Sequence, residues 1–354
     1  MISTLTVKNT DQLSKWYKEN RPLYESLSNK VEGIIQEILQ YNNIEVYSIT
    51  SRAKEIESFI DKAKKDKYTD PMNEIKDLAG IRVITFVKSD VEKCCDLIKP
   101  LFKIDESNSI DKGKELGKDK VGYRSVHYIA ELTDERLKLP EYAPYKDMCF
   151  EIQVRTILEH AWADISHDRT YKFSGKLPQD NDIERRFSLA AATLELVDRE
   201  FDAIAQEIDN YRLNVINDTT EGNLETEINS TSLHEYMKIK FKQLIANRVL
   251  EPSFYNSENK AIEELAALDV KTLSELDHLI GDVNKFNKIP ENTFLGVLRD
   301  AMIIYDADAY FSKAWLKRWN EIDPPSYQLY LENNVDIDRL INEYDLYLAT
   351  QDTY

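Results

Sequence analysis

Four clusters of charged and polar side chains lie between residues 52 and 155, and their residue types suit the binding and transfer of phosphate groups. Transfer from a nucleoside triphosphate needs carboxylates for a metal ion and for the attacking hydroxyl, together with cations that neutralise the phosphoryl oxygens. A nucleobase can also stack on an aromatic ring. The clusters that supply these groups are, first, Arg52, Lys54, Ser58 and Lys62; second, Asp77 and Arg82; third, Glu151, Gln153 and Arg155; and fourth, Tyr123, Arg124 and His127.

The first cluster lies in a lysine-rich segment, 52–67, whose pattern predicts a helix. At helical spacing Lys54, Ser58 and Lys62 share one face, so two ammonium groups and a hydroxyl can point at a single anion. Arg52 falls at the expected helix start, where free backbone N–H groups also favour a phosphate. Acidic residues are interleaved with these cations, and a solvated helix with Lys–Glu pairs is the alternative.

The second cluster, DLAGIR over 77–82, has a carboxylate just before an apolar strand and an arginine on that strand. Mg²⁺ is usually held by one or two carboxylates plus substrate phosphates, and arginine can bind phosphate bidentately. Asp77 and Arg82 therefore suit metal and phosphate binding, and Gly80 between them allows a close approach. The sequence equally allows a structural interpretation, in which the aspartate belongs to a turn and the arginine to the edge of a strand.

The third cluster belongs to a predicted strand, 148–155, on which Glu151, Gln153 and Arg155 share one face because side chains alternate. The apolar residues between them face a core. Three aligned polar groups form either a solvated surface or the floor of a polar site. Internal strands of an α/β sheet are often covered on both faces, where such groups would need partners, and this favours a site.

The fourth cluster follows a glycine- and lysine-rich loop, 110–122, at the start of another predicted strand. The ring of Tyr123 offers a surface on which a base could stack. Arg124 and His127 suit phosphate or hydroxyl groups. For each residue taken singly there is a structural alternative. The tyrosine would pack against neighbouring side chains, and the histidine would lie in the core with its hydrogen bonds satisfied.

Alternating strands and helices must position these clusters. The pattern predicts a mixed sheet flanked by helices, an α/β (mixed α+β) fold. Two capping boxes, Ser89-x-x-Glu92 and Thr156-x-x-Glu159, mark helix starts. The predicted strands are 81–87, 125–132 and 148–155, and the predicted helices are 9–43 (with a break or kink at Pro22), 52–67, 89–99, 156–172 and 181–212.

The chain has 354 residues, of which 42% are hydrophobic, and it is long enough for two domains. The polar, acidic segment 216–232 predicts a linker. It would separate a catalytic domain, 1–215, from a C-terminal domain, 233–354, whose pattern is helical throughout.

Composition excludes several classes of protein. A net charge of −18 argues against broad, non-specific binding of DNA or RNA, although it does not exclude a local basic pocket. Three cysteines without a CxxC pair argue against a zinc or disulfide framework. We find no Walker, kinase or Rossmann glycine motif, and no long apolar run. We expect a cytoplasmic protein with no membrane segment.

Taken in order, five segments resemble the synthetase domain of the RelA/SpoT family, which makes the alarmones (p)ppGpp. They are RAKEIESFIDK (52–62), DLAGIRVI (77–84), GYRSVHY (122–128), EIQVRT (151–156) and HAWADISHDRTYK (160–172). The resemblance covers roughly residues 10–215. It implies a nucleotidyltransferase-like mixed sheet, ATP as the pyrophosphate donor, Mg²⁺ as cofactor, and GDP or GTP accepting at the ribose 3′-hydroxyl.

The resemblance also implies a role for each residue of the clusters. Asp77 would bind Mg²⁺, and Glu151 would bind metal or activate the hydroxyl. ATP and its phosphates would be held by Arg52, Lys54, Ser58, Lys62 and Arg82. The acceptor would lie against Tyr123, Arg124, His127, Gln153, Arg155 and His160, the last at a position where some small synthetases carry an asparagine.

The main alternative is a toxic small synthetase that pyrophosphorylates the 3′-terminal adenosine of tRNA. Fused forms carry a C-terminal antitoxin region that blocks the ATP site and senses a trigger. Residues 233–354 and the pair Tyr344 and Tyr347 fit such an arm, although ordinary packing of the two tyrosines is favoured. For both candidate functions, a protein trigger could bind the C-terminal region. The chain could also assemble into a homo-oligomer.

Overall fold

The computed structural model describes residues 10–111, 125–172, 182–289 and 292–349. The chain divides into two compact units, Met1–Ala205 and Gln206–Tyr354. Each unit has its own hydrophobic core.

The first unit is built on a six-stranded mixed sheet. Its strand order is β1-β2-β6-β5-β3, and β4 pairs with β5. β2 and β6 are parallel, and the other neighbours are antiparallel. The strands are β1 Ser48–Ala53, β2 Ala79–Thr85, β3 Phe102–Ile104, β4 Ile110–Asp111, β5 Val126–Leu132 and β6 Phe150–Thr156. The three predicted strands and the mixed sheet are confirmed.

The register of the sheet aligns the polar clusters on one face. Gly80 of β2 pairs with Arg52 of β1 on one side and with Glu151 of β6 on the other. In the next such row, Arg82 pairs with Gln153. Residues directly opposite each other in neighbouring strands point to the same face. The clusters that are separated in sequence therefore meet across three strands.

The opposite face of the sheet is apolar. Ile81, Val83, Ile152 and Val154 are fully buried there, in one core with residues of helices α1 and α4. The described helices of this unit are α1 Thr10–Tyr41, α2 Ile56–Ala63, α3 Pro71–Glu74, α4 Lys88–Ile98, α5 Asp134–Leu137, α6 Ile157–Lys172 and α7 Ile183–Glu221, the last of which continues into the second unit.

Helix α1 runs without a break through Pro22, contrary to the break considered above. A proline removes one backbone hydrogen bond and strains the preceding turn. Here buried residues on both sides of it, Tyr17 and Leu27 among them, hold the two halves of the helix against cores of the first unit.

The predicted helix over 52–67 is wrong at both ends. Arg52 lies in strand β1 and Lys54 in the turn that follows it, and helix α2 begins only at Ile56 and ends at Ala63. The segment forms a strand because its backbone pairs with β2, a tertiary contact that its own weakly apolar sequence does not reveal.

The Ser89 capping box is also wrong. Helix α4 begins at Lys88, and the residue before it, Val87, makes no side-chain capping hydrogen bond. The backbone N–H of Ser89 instead donates to Asp202 Oδ1 of α7, at 2.7 Å. A long-range carboxylate therefore takes the place of the local cap.

The Thr156 capping box is confirmed. Thr156 N–H donates to Glu159 Oε2 at 3.1 Å, and Glu159 N–H donates to Thr156 Oγ1 at 3.2 Å. The Thr156 hydroxyl also donates to Asp198 Oδ2 of α7, at 2.9 Å. This cap therefore starts α6 and ties α7 to the end of β6.

Helix α7 extends into the segment predicted as a linker, 216–232, and ends at Glu221. The next helix begins at Ser230, so the connection is short. Val215 explains the extension, because it is buried in the core of the second unit while its polar neighbours form a solvated helix surface.

The second unit is helical apart from two short parallel strand pairs, β7 with β8 and β9 with β10, which the sequence did not reveal. Tyr344 stacks on Phe311 with ring centroids 5.0 Å apart, whereas Tyr347 is 49% exposed. No described helix is long and apolar enough to cross a membrane. The helices are α8 Ser230–Lys240, α9 Lys242–Ala246, α10 Glu258–Ala267, α11 Leu273–Ile280, α12 Phe294–Ala309, α13 Pro324–Glu332 and α14 Ile337–Tyr344, and the strands are β7 Leu250–Glu251, β8 Asn292–Thr293, β9 Glu321–Ile322 and β10 Tyr347–Leu348.

The buried carboxyl of Glu159 predicts a pH-dependent stability. Burial, with a contribution from Asp198, raises its pKa to about 7 against the opposing hydrogen bond from Thr156. The folded chain then binds this proton more tightly than the unfolded chain, so the free energy of unfolding should fall as pH rises towards 7. Glu159→Gln keeps a hydrogen-bond acceptor without the charge. Chemical denaturation across this pH range should show a smaller fall in the variant, and parallel profiles would contradict the assignment.

Candidate active site

Two lysines converge on Asp77, which lies just before β2. Lys54 Nζ is 2.9 Å and Lys62 Nζ is 2.6 Å from Asp77 Oδ2. Burial acts to raise the pKa of Asp77, but the two ammonium groups outweigh it and hold that pKa below its usual value. Although Lys54 lies outside the helix on which it was predicted, the two lysines of the first cluster do meet the carboxylate of the second.

Helix α1 fixes the turn that carries Lys54. The fully buried Tyr17 donates its hydroxyl to the Lys54 carbonyl at 2.7 Å, and Arg21 Nε donates to the same oxygen at 3.3 Å. The sequence pattern predicts the helix that carries Tyr17 but not this role of its hydroxyl. The signal available was a hydroxyl within a stripe of otherwise apolar residues.

Glu151 is held at both of its carboxylate oxygens. His127 Nδ1 lies 2.8 Å from Oε1, and Gln153 Nε2 donates to Oε2 at 2.8 Å. Burial acts to raise the pKa of Glu151, but the hydrogen bond and charge of His127, with the hydrogen bond from Gln153, place it below its usual value. His127 and Gln153, predicted on the acceptor side, thus contact the carboxylate directly.

The polar face of the sheet opens into a cleft. Gly80 lies in it between Arg52 and Glu151, and a Cβ built on this glycine would meet only the Arg52 carbonyl oxygen, at 3.9 Å. The missing side chain therefore leaves room for a ligand. The residues that line the cleft are Thr50, Ser51, Arg52, Lys54, Asp77, Gly80, Ile81, Arg82, Glu151 and Gln153.

Arg155 lies at the covered end of the same strand, only 3% exposed, where α6 begins. Its Nη2 donates to His160 Nδ1 at 2.6 Å and lies 3.7 Å from Asp164 Oδ1. Because arginine only donates, His160 accepts at Nδ1 and carries its proton on Nε2. Burial and then the Arg155 charge lower the pKa of His160, which favours this neutral form.

The remaining predicted residues lie in different places. Arg52 and Ser58 are exposed, the first on the cleft and the second on α2. Arg82 lines the cleft from β2. Tyr123 and Arg124 lie outside the described residues.

Asp77 and Glu151 fit a metal ion that also takes ligands from a substrate. Both line the cleft, and Asp77 Oδ1 is buried without a hydrogen-bond partner among the described residues. The described part of the chain offers no group of three or more His, Cys, Asp or Glu residues that could enclose a metal. Two carboxylates plus phosphate oxygens are the donor set that Mg²⁺ commonly takes in nucleotide sites.

Part of this chain is similar to known proteins. Residues 51–176 match a family model described as a region found in RelA / SpoT proteins. GTP pyrophosphokinase YjbM of Bacillus subtilis (strain 168) is 27% identical over 196 residues, which are 53% of this chain and 86% of that protein. GTP pyrophosphokinase YwaC of the same strain is 29% identical over 195 residues, 52% of this chain and 86% of that protein. The solved small alarmone synthetase 1 from Bacillus subtilis aligns over 55% of this chain and 98% of its own, with 22% identity and a TM-score of 0.46.

The chain is therefore a transferase of the pyrophosphokinase type. Its residues 51–176 carry the region found in RelA / SpoT proteins. The resemblance found in the sequence is confirmed.

Filling the cleft at Gly80 should block nucleotide binding without unfolding the sheet. Gly80→Val places a side chain between Arg52 and Glu151, and a β-branched residue suits a strand better than glycine. We expect ATP affinity, measured by calorimetry, to fall at least about tenfold, or about 1.4 kcal/mol, with an unchanged melting temperature. Gly33→Ala in α1, where a Cβ meets nothing within 4 Å, is the control. Undiminished ATP binding by the Gly80 variant would show that the cleft is not the nucleotide site.

Proposed function

We propose that this enzyme transfers the β,γ-pyrophosphate of ATP to the ribose 3′-hydroxyl of GDP or GTP, giving (p)ppGpp, in a Mg²⁺-dependent reaction in the cytoplasm. The observation that carries the proposal is the pair of partly buried carboxylates, Asp77 and Glu151, both with a lowered pKa, in a cleft that also contains cations. This combination suits the reacting hydroxyl and the phosphates together.

The reaction exchanges one phosphorus–oxygen bond for another. The acceptor 3′-oxygen bonds to the β-phosphorus of ATP, the bond from that phosphorus to the α,β-bridging oxygen breaks, and AMP leaves. The hydroxyl proton passes to the Glu151 carboxylate and from there to solvent. The low pKa makes Glu151 a weak base that is always ionised near neutral pH, so its placement against the hydroxyl is decisive.

The cations of the cleft hold the donor. Arg52 and Arg82 lie on neighbouring strands of the open face and can bind the triphosphate from two sides. Lys54 and Lys62 pair with Asp77 in the unliganded chain and can turn to phosphate oxygens when the nucleotide enters. When bound between Asp77 and Glu151, Mg²⁺ would supply charge neutralisation at the phosphate oxygens.

The acceptor side rests on the family resemblance and on the relatives. Tyr123 would stack on the base, and Arg124 and His160 would face the acceptor. Two relatives are named as GTP pyrophosphokinases, which supports a guanine nucleotide. A regulatory or binding role for residues 233–354 stays a prediction.

The acceptor is identified by a parallel labelling experiment. The full chain is incubated with Mg²⁺ and γ-³²P-ATP, together with GDP, GTP, AMP, ADP or deacylated tRNA. Label on GDP or GTP supports the proposal. Label on tRNA alone would replace it with the toxin alternative, and label on no acceptor would contradict both.

Neutralising either carboxylate should stop transfer while the fold persists. Asp77→Asn and Glu151→Gln keep the shape of the side chain and remove its charge, so metal binding or proton acceptance is lost. We expect kcat to fall at least about a hundredfold in each, a loss typical of a group that acts in the transition state. Glu57→Gln makes the same carboxyl-to-carboxamide change at an exposed position on α2 outside the cleft lining, and is a matched control expected to retain most activity. Wild-type rates in either carboxamide variant would remove that residue from the site.

A further inference from the structure

A hydrogen-bonded chain of three side chains ends on Glu151. Ser125 Oγ lies 2.6 Å from His127 Nε2, and His127 Nδ1 lies 2.8 Å from Glu151 Oε1. On the other side Gln153 Nε2 lies 2.8 Å from Oε2. Each oxygen of the carboxylate therefore has a fixed neighbour.

When the His127 ring is neutral, chemistry sets the direction of every bond in this chain. An ionised carboxylate only accepts, so His127 must donate from Nδ1. A neutral ring with its proton on Nδ1 has a lone pair on Nε2, which accepts from the Ser125 hydroxyl. Ser125 thereby fixes the tautomer of His127, and His127 fixes the direction of the Glu151 carboxylate.

The same order of contacts occurs in the serine–histidine–acid triads of hydrolases, but its use here must differ. Ser125 is only 3% exposed, so its hydroxyl cannot reach a substrate as a nucleophile. Ser125 and His127 are absent from the residues that line the cleft, whereas Glu151 and Gln153 line it. The serine and the histidine can therefore act on the cleft through Glu151.

We propose that Ser125 and His127 are positioning residues, which hold the Glu151 carboxylate in the orientation that pyrophosphate transfer requires. The inference rests on the proposed function, because it names what orients the carboxylate that the transfer uses. It differs from the sequence interpretation of His127 as an acceptor ligand, which would affect acceptor binding instead.

The two roles separate in steady-state kinetics. Ser125→Ala removes the donor to His127, and kcat should fall about 10- to 100-fold, the usual effect of losing an orienting partner. The KM values for ATP and for the acceptor should stay within about twofold, since no substrate contact is removed. Ser125→Thr restores the hydroxyl and should recover most of the rate. An unchanged kcat in Ser125→Ala, or a rise in acceptor KM alone, would overturn the proposal.

Two substitutions of the histidine test the direction of the chain. The amide nitrogen of asparagine falls near the place of Nδ1 and can still donate to Glu151, whereas the amide of glutamine falls near Nε2. His127→Asn should therefore be more active than His127→Gln. Adding Ser125→Ala to His127→Gln should cost nothing more, because the serine acts only through the ring. Additive losses, or equal rates in the two histidine variants, would contradict the chain.

A spectroscopic test does not depend on any activity. A ¹⁵N correlation spectrum of the histidine rings in the unliganded wild-type chain shows which nitrogen is protonated, and the signal lost in His127→Asn identifies His127. A proton on Nδ1 and none on Nε2 is expected. A proton on Nε2 would overturn the inference, even if the transfer reaction is established. The opposite result is the expected tautomer in a chain that transfers no pyrophosphate. It would leave the inferred orientation of Glu151 intact and refute only the proposed reaction.

Discussion

The candidate site depends on keeping two partly buried carboxylates ionised within one cleft. Removal from water raises the pKa of a carboxyl, because the charged form loses its hydration. Asp77 is compensated by the ammonium groups of Lys54 and Lys62, and Glu151 by the hydrogen bonds of His127 and Gln153. Most of the polar side chains around the cleft therefore stabilise these two charged carboxylates.

The sheet supplies the positions, because alternation along its strands separates an apolar face from a polar one. Helix α1 serves both sides of this arrangement. Its apolar residues, such as Val31 and Ile35, cover the apolar face of the sheet, while Tyr17 and Arg21 hold the turn that carries Lys54. The hydrophobic core and the placement of a phosphate-binding cation are thus coupled through one helix.

Much of the fold could be predicted from the sequence, because strands β2, β5 and β6 are apolar or β-branched in their own right. Strand β1 could not be predicted, since its conformation comes from pairing with β2. A helix was predicted where β1 lies, yet Lys54 and Lys62 do converge. The turn after β1 and the helix α2 both face Asp77. Long-range contacts are what the sequence hides: Tyr17 meets a carbonyl 37 positions away, and Asp202 caps a helix 113 positions away.

The carboxyl groups themselves offer the most direct measurement. A ¹³C NMR titration of the unliganded chain, with Asp77→Asn and Glu151→Gln to assign the side-chain carboxyl signals, reports the pKa of each group. Both carboxyls should titrate below their ordinary values, since neighbouring charges and hydrogen bonds outweigh burial. A carboxyl that titrates above its ordinary value would mean that burial prevails, and that the cleft does not present two ionised carboxylates near neutral pH.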